Sequence, residues 1–162
     1  MILEFRNATI QDLDVVSEIE LKCFPLEEAA TREAFEYRIQ TFPTSFILAM
    51  LEDKVVGHVN GCCTDLPLIC DELFEKDGGH NPNGKNQMIF GLAVLPEYQR
   101  KGIAEKLMKS IILSAKSEGR ESVVLTCKNQ LVHYYEKFGF KSLGISESTH
   151  GGAVWYDMIC KL

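Results

Sequence analysis

The sequence predicts a mixed α/β fold, a sheet carrying helices on its faces, and three observations support that expectation. Short alternating or continuous apolar runs mark strands at residues 2–8, 45–51, 55–63, 88–94 and 122–127, with two more after Phe140. Between the last of these runs, Ile103, Ala104, Leu107, Met108, Ile111, Ile112 and Ala115 recur at the spacing of one helix face. The 162 residues, 46% of them hydrophobic, can bury a real core as a single domain, 1–162, and leave little room for a second.

Taken in order, the elements are β-α-α-β-β-β-α-β-α-β-β. After the first strand, Thr9 followed by Asp12 has the spacing of a helix start with an acidic residue three positions on. The helix stripe is Leu13, Val16, Ile19 and Leu21, and Cys23-Phe24-Pro25-Leu26 interrupts it before a second helix at 27–40. Glu52-Asp53-Lys54 is a polar hairpin connection between the next two strands. Periodicity fades over 64–85, and Asp77-Gly78-Gly79-His80-Asn81-Pro82-Asn83-Gly84 has turn-forming composition, so this stretch is expected to run over the surface. The run 88–94 suits a central strand covered on both faces, and Gly91 inside it predicts either a close backbone approach or a bulge, a break that would splay the neighbouring strands. Gly119 stops the long helix, a short helix at 130–138 ends at Gly139, and two closing strands flank Gly151-Gly152.

A formal charge of −6 argues against an extended nucleic-acid surface, which needs clustered lysine and arginine to replace counterions. The opening Met1-Ile2-Leu3-Glu4-Phe5-Arg6 builds no apolar leader and no run is long enough to span a bilayer, so the expected address is cytoplasmic, without a membrane partner. The six cysteines form no C-x-x-C pair and several lie in apolar runs, which predicts buried, reduced thiols. Nothing in the sequence points to a metal, a flavin or a nucleoside triphosphate, and a monomer or a homodimer is equally compatible with it.

The segment Gln99-Arg100-Lys101-Gly102-Ile103-Ala104 follows the central strand and opens the amphipathic helix. A helix start presents unpaired N–H groups and a partial positive charge, so a pyrophosphate there gains hydrogen bonds and dipole stabilisation together. Gly102 admits phosphate oxygens to the backbone, Ala104 keeps the approach open, and Arg100 and Lys101 add charge at the rim. Neither a P-loop nor a dinucleotide glycine fingerprint is present.

These residues resemble the Q/R-x-x-G-x-G/A signature of the GNAT superfamily of acyl-CoA N-acetyltransferases. The resemblance continues through Asn129 and through Tyr134-Tyr135-Glu136-Lys137-Phe138-Gly139-Phe140, which is similar to the family's Y-E-K-x-G-F segment. It implies a mostly antiparallel sheet of six to seven strands with about four helices, its fourth and fifth strands splayed. Within the superfamily the chain is most similar to the arylalkylamine (serotonin-type) enzymes, through Glu18-Ile19-Glu20, Phe24, Pro25-Leu26 and the run from Leu125 to Tyr135. It departs from them where their paired histidines stand, since Met88 and Phe90 occupy those positions.

The resemblance implies acetyl-CoA as co-substrate, with its pantetheine along the backbone of Leu92, Ala93 and Val94, its pyrophosphate on the 99–104 turn, and contacts from Asn129 and Tyr135. A primary amine would attack the thioester directly while the Leu92 N–H stabilises the oxyanion and Tyr135 protonates the leaving thiolate. Phe24, Pro25 and Leu26 would wall the acceptor pocket, or cap the first two helices. His80, Glu28 and His133 are the candidate proton acceptors, each of which could also be a solvated surface residue, with His80 or Glu28 favoured; His58 reads as a packed one. Acetylation of a protein N-terminus or lysine, and a non-catalytic acetyl-CoA-binding module, are the alternatives.

Overall fold

The structure, a computed structural model, describes residues 2–75 and 78–162; Met1 of the N-terminal reading and Asp77 of the glycine-rich stretch lie outside the described residues. In chain order the elements are β1 (Leu3–Asn7), α1 (Leu13–Cys23), α2 (Arg32–Thr41), β2 (Phe46–Leu51), β3 (Lys54–Asn60), β4 (Cys63–Thr64), β5 (Asn86–Ile89) and β6 (Gly91–Val94). They continue with α3 (Ile103–Ser117), β7 (Ser122–Cys127), α4 (Val132–Glu136), β8 (Lys141–Ile145) and β9 (Tyr156–Lys161). The mixed α/β class and the helices expected from the sequence are present, and every strand pair is antiparallel except β5 with β7.

The strands fall into two sheets, ordered β1-β2-β3-β6 and β4-β5-β7-β9-β8. The apolar run 88–94, which reads in the sequence as one central strand, is two, because β5 bonds to β7 whereas β6 bonds to β3. The break falls at Phe90, one residue before the glycine that the sequence singled out. The chain divides into two compact units, 1–61 with 91–111 and 62–90 with 112–162.

In the first unit, the Arg6 guanidinium grips Asp12 through both oxygens at 2.7 and 2.8 Å, and the Thr9 N–H donates to Asp12 Oδ2 at 2.8 Å. That carboxylate therefore fixes the entry to α1 and joins it to β1. Arg6 holds the Asp12 carboxyl below the ordinary carboxylate range, against the upward push of burial. Leu13, Val16 and Ile19 pack into a core with Phe35, Phe46, Leu48 and Ala93. Leu21, expected on this stripe, is 59% exposed, and Glu20 is buried in its stead. α2 starts at Arg32 rather than at residue 27, because the Thr31 side chain caps the Ala34 N–H at 3.1 Å while Glu28 and Ala29 turn back on the Pro25 carbonyl at 2.9 Å. Glu52 and Asp53, both at positive φ, make the expected hairpin turn. Gly57 lets β3 lie against α3: a Cβ there would sit 2.7 Å from the Ala93 carbonyl and 3.3 Å from Leu107 Cδ1.

In the second unit the described residues of 64–85 lie mostly at the surface, as expected, and are pinned to the unit at several points. Ile69 and Leu73 are buried, Asp71–Phe74 forms a 3₁₀ turn, and the Asn81 N–H donates to the Cys63 carbonyl at 2.8 Å. Arg120 adds bonds to the carbonyls of Pro82 and Gly84. The helix expected at 130–138 is shorter, α4 preceded by a 3₁₀ turn at Asn129–Leu131. All six cysteines are free thiols, four of them buried. No helix among the described residues is long and apolar enough to cross a membrane.

Candidate active site

The 99–104 turn lies in the first unit, between β6 and α3. Arg100 and Gly102 both have positive φ, 63° and 81°, and a Cβ on Gly102 would meet nothing within 4 Å. Left-handed residues alternating with ordinary ones make successive N–H groups converge, a geometry suited to an anion. The bonds of α3 begin with the Lys106 N–H on the Gly102 carbonyl at 3.1 Å, which leaves the preceding amides as the donors of a helix start. Arg100 and Lys101 are exposed at its rim, while Ile103 is buried and offers the turn only its backbone. The Gln99 side chain donates to the Val94 carbonyl at 3.0 Å, so it clamps the turn onto β6.

β6 is the edge strand of its sheet, and its register decides which backbone groups are open. The Leu95 N–H donates to the Val56 carbonyl at 2.9 Å; alternation along an antiparallel pair then directs Ala93 toward His58 and turns Leu92 and Val94 outward. The Val94 carbonyl is taken by Gln99 and by the Cys23 thiol at 3.2 Å, so the edge groups are the Leu92 N–H and carbonyl and the Val94 N–H. Ala93, expected among the cofactor contacts, spends its backbone on β3 and its side chain on the core.

Behind β6 a buried polar chain steadies the α1–α2 connection. Glu20 accepts the Ala30 N–H at 2.8 Å and its other oxygen stands 3.4 Å from His58 Nε2. His58 Nδ1 meets Asn60 at 3.3 Å, and Asn60 accepts from Arg38 at 3.1 Å. His58 is thus the packed histidine the sequence suggested. Phe24 packs on the core, whereas Leu26 is 78% exposed. Glu28 sits in the turn before α2, not at the helix start where it was expected.

In the second unit Tyr135 lies on α4, its ring 5.1 Å from Tyr134 and 6.0 Å from Phe140. Burial, then the neighbouring Tyr134 and Cys127, push its phenol well above the ordinary tyrosine value, so it is a proton donor at every ordinary pH. Burial likewise pushes the Cys127 thiol up to about 11, which keeps it protonated and unreactive. Asn129 is exposed at the start of its 3₁₀ turn, and His133 pairs with Glu136 at 2.8 Å on the surface.

His80 does not offer a base where one was expected. Its Nδ1 accepts the Cys63 N–H at 3.0 Å, which engages the lone pair of the neutral ring and leaves the proton on Nε2. Burial and then Arg120 lower its pKa. Protonation favours the unfolded chain, so stability is unaffected above about pH 6.5 and declines as the pH falls below it toward the folded value. A His80→Gln variant, whose amide oxygen can still accept from Cys63, is expected to flatten the fall in melting temperature between about pH 7.5 and 5.5; parallel slopes for both proteins would refute the assignment.

Asp157 was not among the residues expected to matter, although a carboxylate inside the apolar run Tyr156-Asp157-Met158-Ile159-Cys160 was the available signal. It is only 5% exposed, and its Oδ1 has no hydrogen-bond partner.

A helix start that concentrates amides behind an open strand edge is suited to holding a phosphate-bearing ligand. Residues 13–140 match the model of the Acetyltransferase (GNAT) family, and the chain belongs to that family. It is 28% identical to the serotonin N-acetyltransferase of Mesocricetus auratus over 98% of this chain and 77% of that protein. Among solved structures, the loading GNATL domain of CurA from Lyngbya majuscula superposes with a TM-score of 0.85 at 19% identity, covering 99% of this chain and 98% of that one. The PaiA N-acetyltransferase of Thermoplasma acidophilum, solved with coenzyme A, gives 0.75 at 18% identity, with both chains fully covered. At these identities the two structures establish the shared fold.

Proposed function

We propose that this chain transfers the acetyl group of acetyl-CoA to a primary amine by direct attack. The observation that carries the reading is the 99–104 turn, where Gly102 at φ 81° leaves open the space a side chain would fill, at the start of α3. The amides there would hold the pyrophosphate, with Arg100 and Lys101 adding charge at the rim. When bound, acetyl-CoA supplies an acyl thioester. The Leu92 N–H, on an edge strand, would donate to the carbonyl oxygen as charge develops on it. Tyr135, neutral because its phenol is desolvated, would give its proton to the departing sulfur. The likeness to serotonin N-acetyltransferase supports a small acceptor of arylalkyl type, with Phe24, Pro25 and Leu26 beside it, and an address in the cytoplasm fits such a substrate.

The test is thiol release from acetyl-CoA in the presence of aromatic amines, polyamines, amino acids and short peptides. Small amines are expected to support release; release with peptides alone would move the reading to protein acetylation. Acetyl-CoA binding without release on any acceptor would leave a binding module.

A further inference from the structure

Asp157 is a buried carboxylate with an oxygen that no donor satisfies, and its neighbours on one face of the second sheet are of a particular kind. Thr126 of β7 stands directly opposite it, so the two side chains share a face. The parallel ladder of β5 on β7 ends at Ile89 opposite Leu125, and Phe90 is the next residue of the chain. Thr126 keeps part of its surface accessible although Leu125 and Cys127 on either side are 2% exposed, so the row formed by Thr126 and Asp157 is open at its Thr126 end.

Aromatic rings continue from this row. The Phe74 ring lies 5.0 Å from Phe90 and 4.9 Å from His150, whose ring is 6.3 Å from Trp155. The Trp155 indole N–H donates to the His150 carbonyl at 2.8 Å. The Ser146 N–H donates to the Trp155 carbonyl at 2.7 Å, and the Ser146 hydroxyl bonds the Asp157 carboxylate, so aromatic wall and carboxylate are built as one piece. The Ser148 hydroxyl and the Thr149 N–H are spent on Asp71. Glu147 acts on Asp157 from the adjoining loop, and the Lys128 ammonium lies 5.8 Å from the centre of the Trp155 ring. Burial and then Glu147 raise the Asp157 carboxyl against the pull of the Ser146 bond, as expected of an anion that lacks a counterion.

We propose that Asp157 is the seat of a primary ammonium group carried on an apolar stem, with Oδ1 accepting one of its N–H bonds and Phe74, Phe90, His150 and Trp155 receiving the stem. An ammonium supplies the donor that the orphaned oxygen lacks, and aromatic faces attract both the cation and the methylenes next to it. If the chain is the acyltransferase proposed above, on which this assignment rests, the site holds the acceptor.

Trp155 is the sole tryptophan of the chain, so its fluorescence reports on the site directly. Titration with n-butylamine is expected to give a saturable change that 1-butanol does not give. In Asp157→Asn, nearly isosteric, the butylamine dissociation constant should rise at least about tenfold, while acetyl-CoA binding by calorimetry stays within about twofold and certifies the fold. If that variant does not fold, Thr126→Leu, which fills the open position of the row, should remove the butylamine response. An equal response to the alcohol, or undiminished butylamine binding in the folded Asp157→Asn or in Thr126→Leu, overturns the site. A chain that binds butylamine in this way yet neither binds acetyl-CoA nor releases thiol would keep the site and lose the acyltransferase reading.

Discussion

Tyr135→Phe lowers turnover of acetyl-CoA by about 10²- to 10⁴-fold, the range of a positioned general acid, while the dissociation constant for acetyl-CoA changes by less than about threefold. The asymmetry follows from what the substitution removes. Phenylalanine keeps the ring contacts with Tyr134 and Phe140, 5.1 and 6.0 Å away, so α4 retains its packing. It takes away only the hydroxyl, and with it the proton that the leaving sulfur takes in the proposed reaction. Desolvation by burial holds that hydroxyl neutral, so the acid keeps its proton across the working range and the loss of activity is the same at pH 7 and pH 9. Single-turnover measurement of thiol release beside calorimetry of acetyl-CoA separates the two effects. Unchanged turnover would remove Tyr135 from the reaction; a parallel loss of binding would make it a packing residue.

Gly102→Val abolishes tight binding of acetyl-CoA, by about 100-fold or more, equivalent to roughly 3 kcal/mol. Two causes act together. A β-branched residue is a strong outlier at φ 81°, and its side chain occupies space that is open in the native turn. Gly102→Asn separates them, because asparagine tolerates the left-handed conformation but still fills the space. An intermediate loss for asparagine is expected. Native affinity in both variants would show that no pyrophosphate sits on these amides, whereas loss of folding in the valine variant alone would leave the asparagine measurement to decide.

Much of the fold was legible because its signals are local. The α3 stripe, the turn at Glu52 and Asp53, and the glycine of the 99–104 turn each declare themselves within a few residues, and the structure has them where the sequence put them. The points that were not legible share a cause. The stretch 64–85 has loop composition, yet Ile69 and Leu73 find burial and His80 finds Cys63 across 17 residues of chain. Leu21 continues the apolar composition of α1, but Glu20 stands seven residues after Leu13 and four after Val16 on the inward stripe, and Ala30 and His58 receive it there. The start of α2 was placed too early since the Pro25 turn and the Thr31 cap compete for the same residues.

The candidate site divides in the same way. The sequence by itself determined the glycine-bearing turn ahead of α3, the order of the helices and the tyrosine on α4, since each rests on residue types held a few positions apart. Only the tertiary structure decided that the run 88–94 serves two sheets, that His80 has its lone pair engaged, and that the Oδ1 of buried Asp157 lacks a donor. Those outcomes turn on which distant strand or loop a backbone group pairs with. Pairing partners are chosen by the free energy of burying whole faces together, a quantity that no short window of sequence contains.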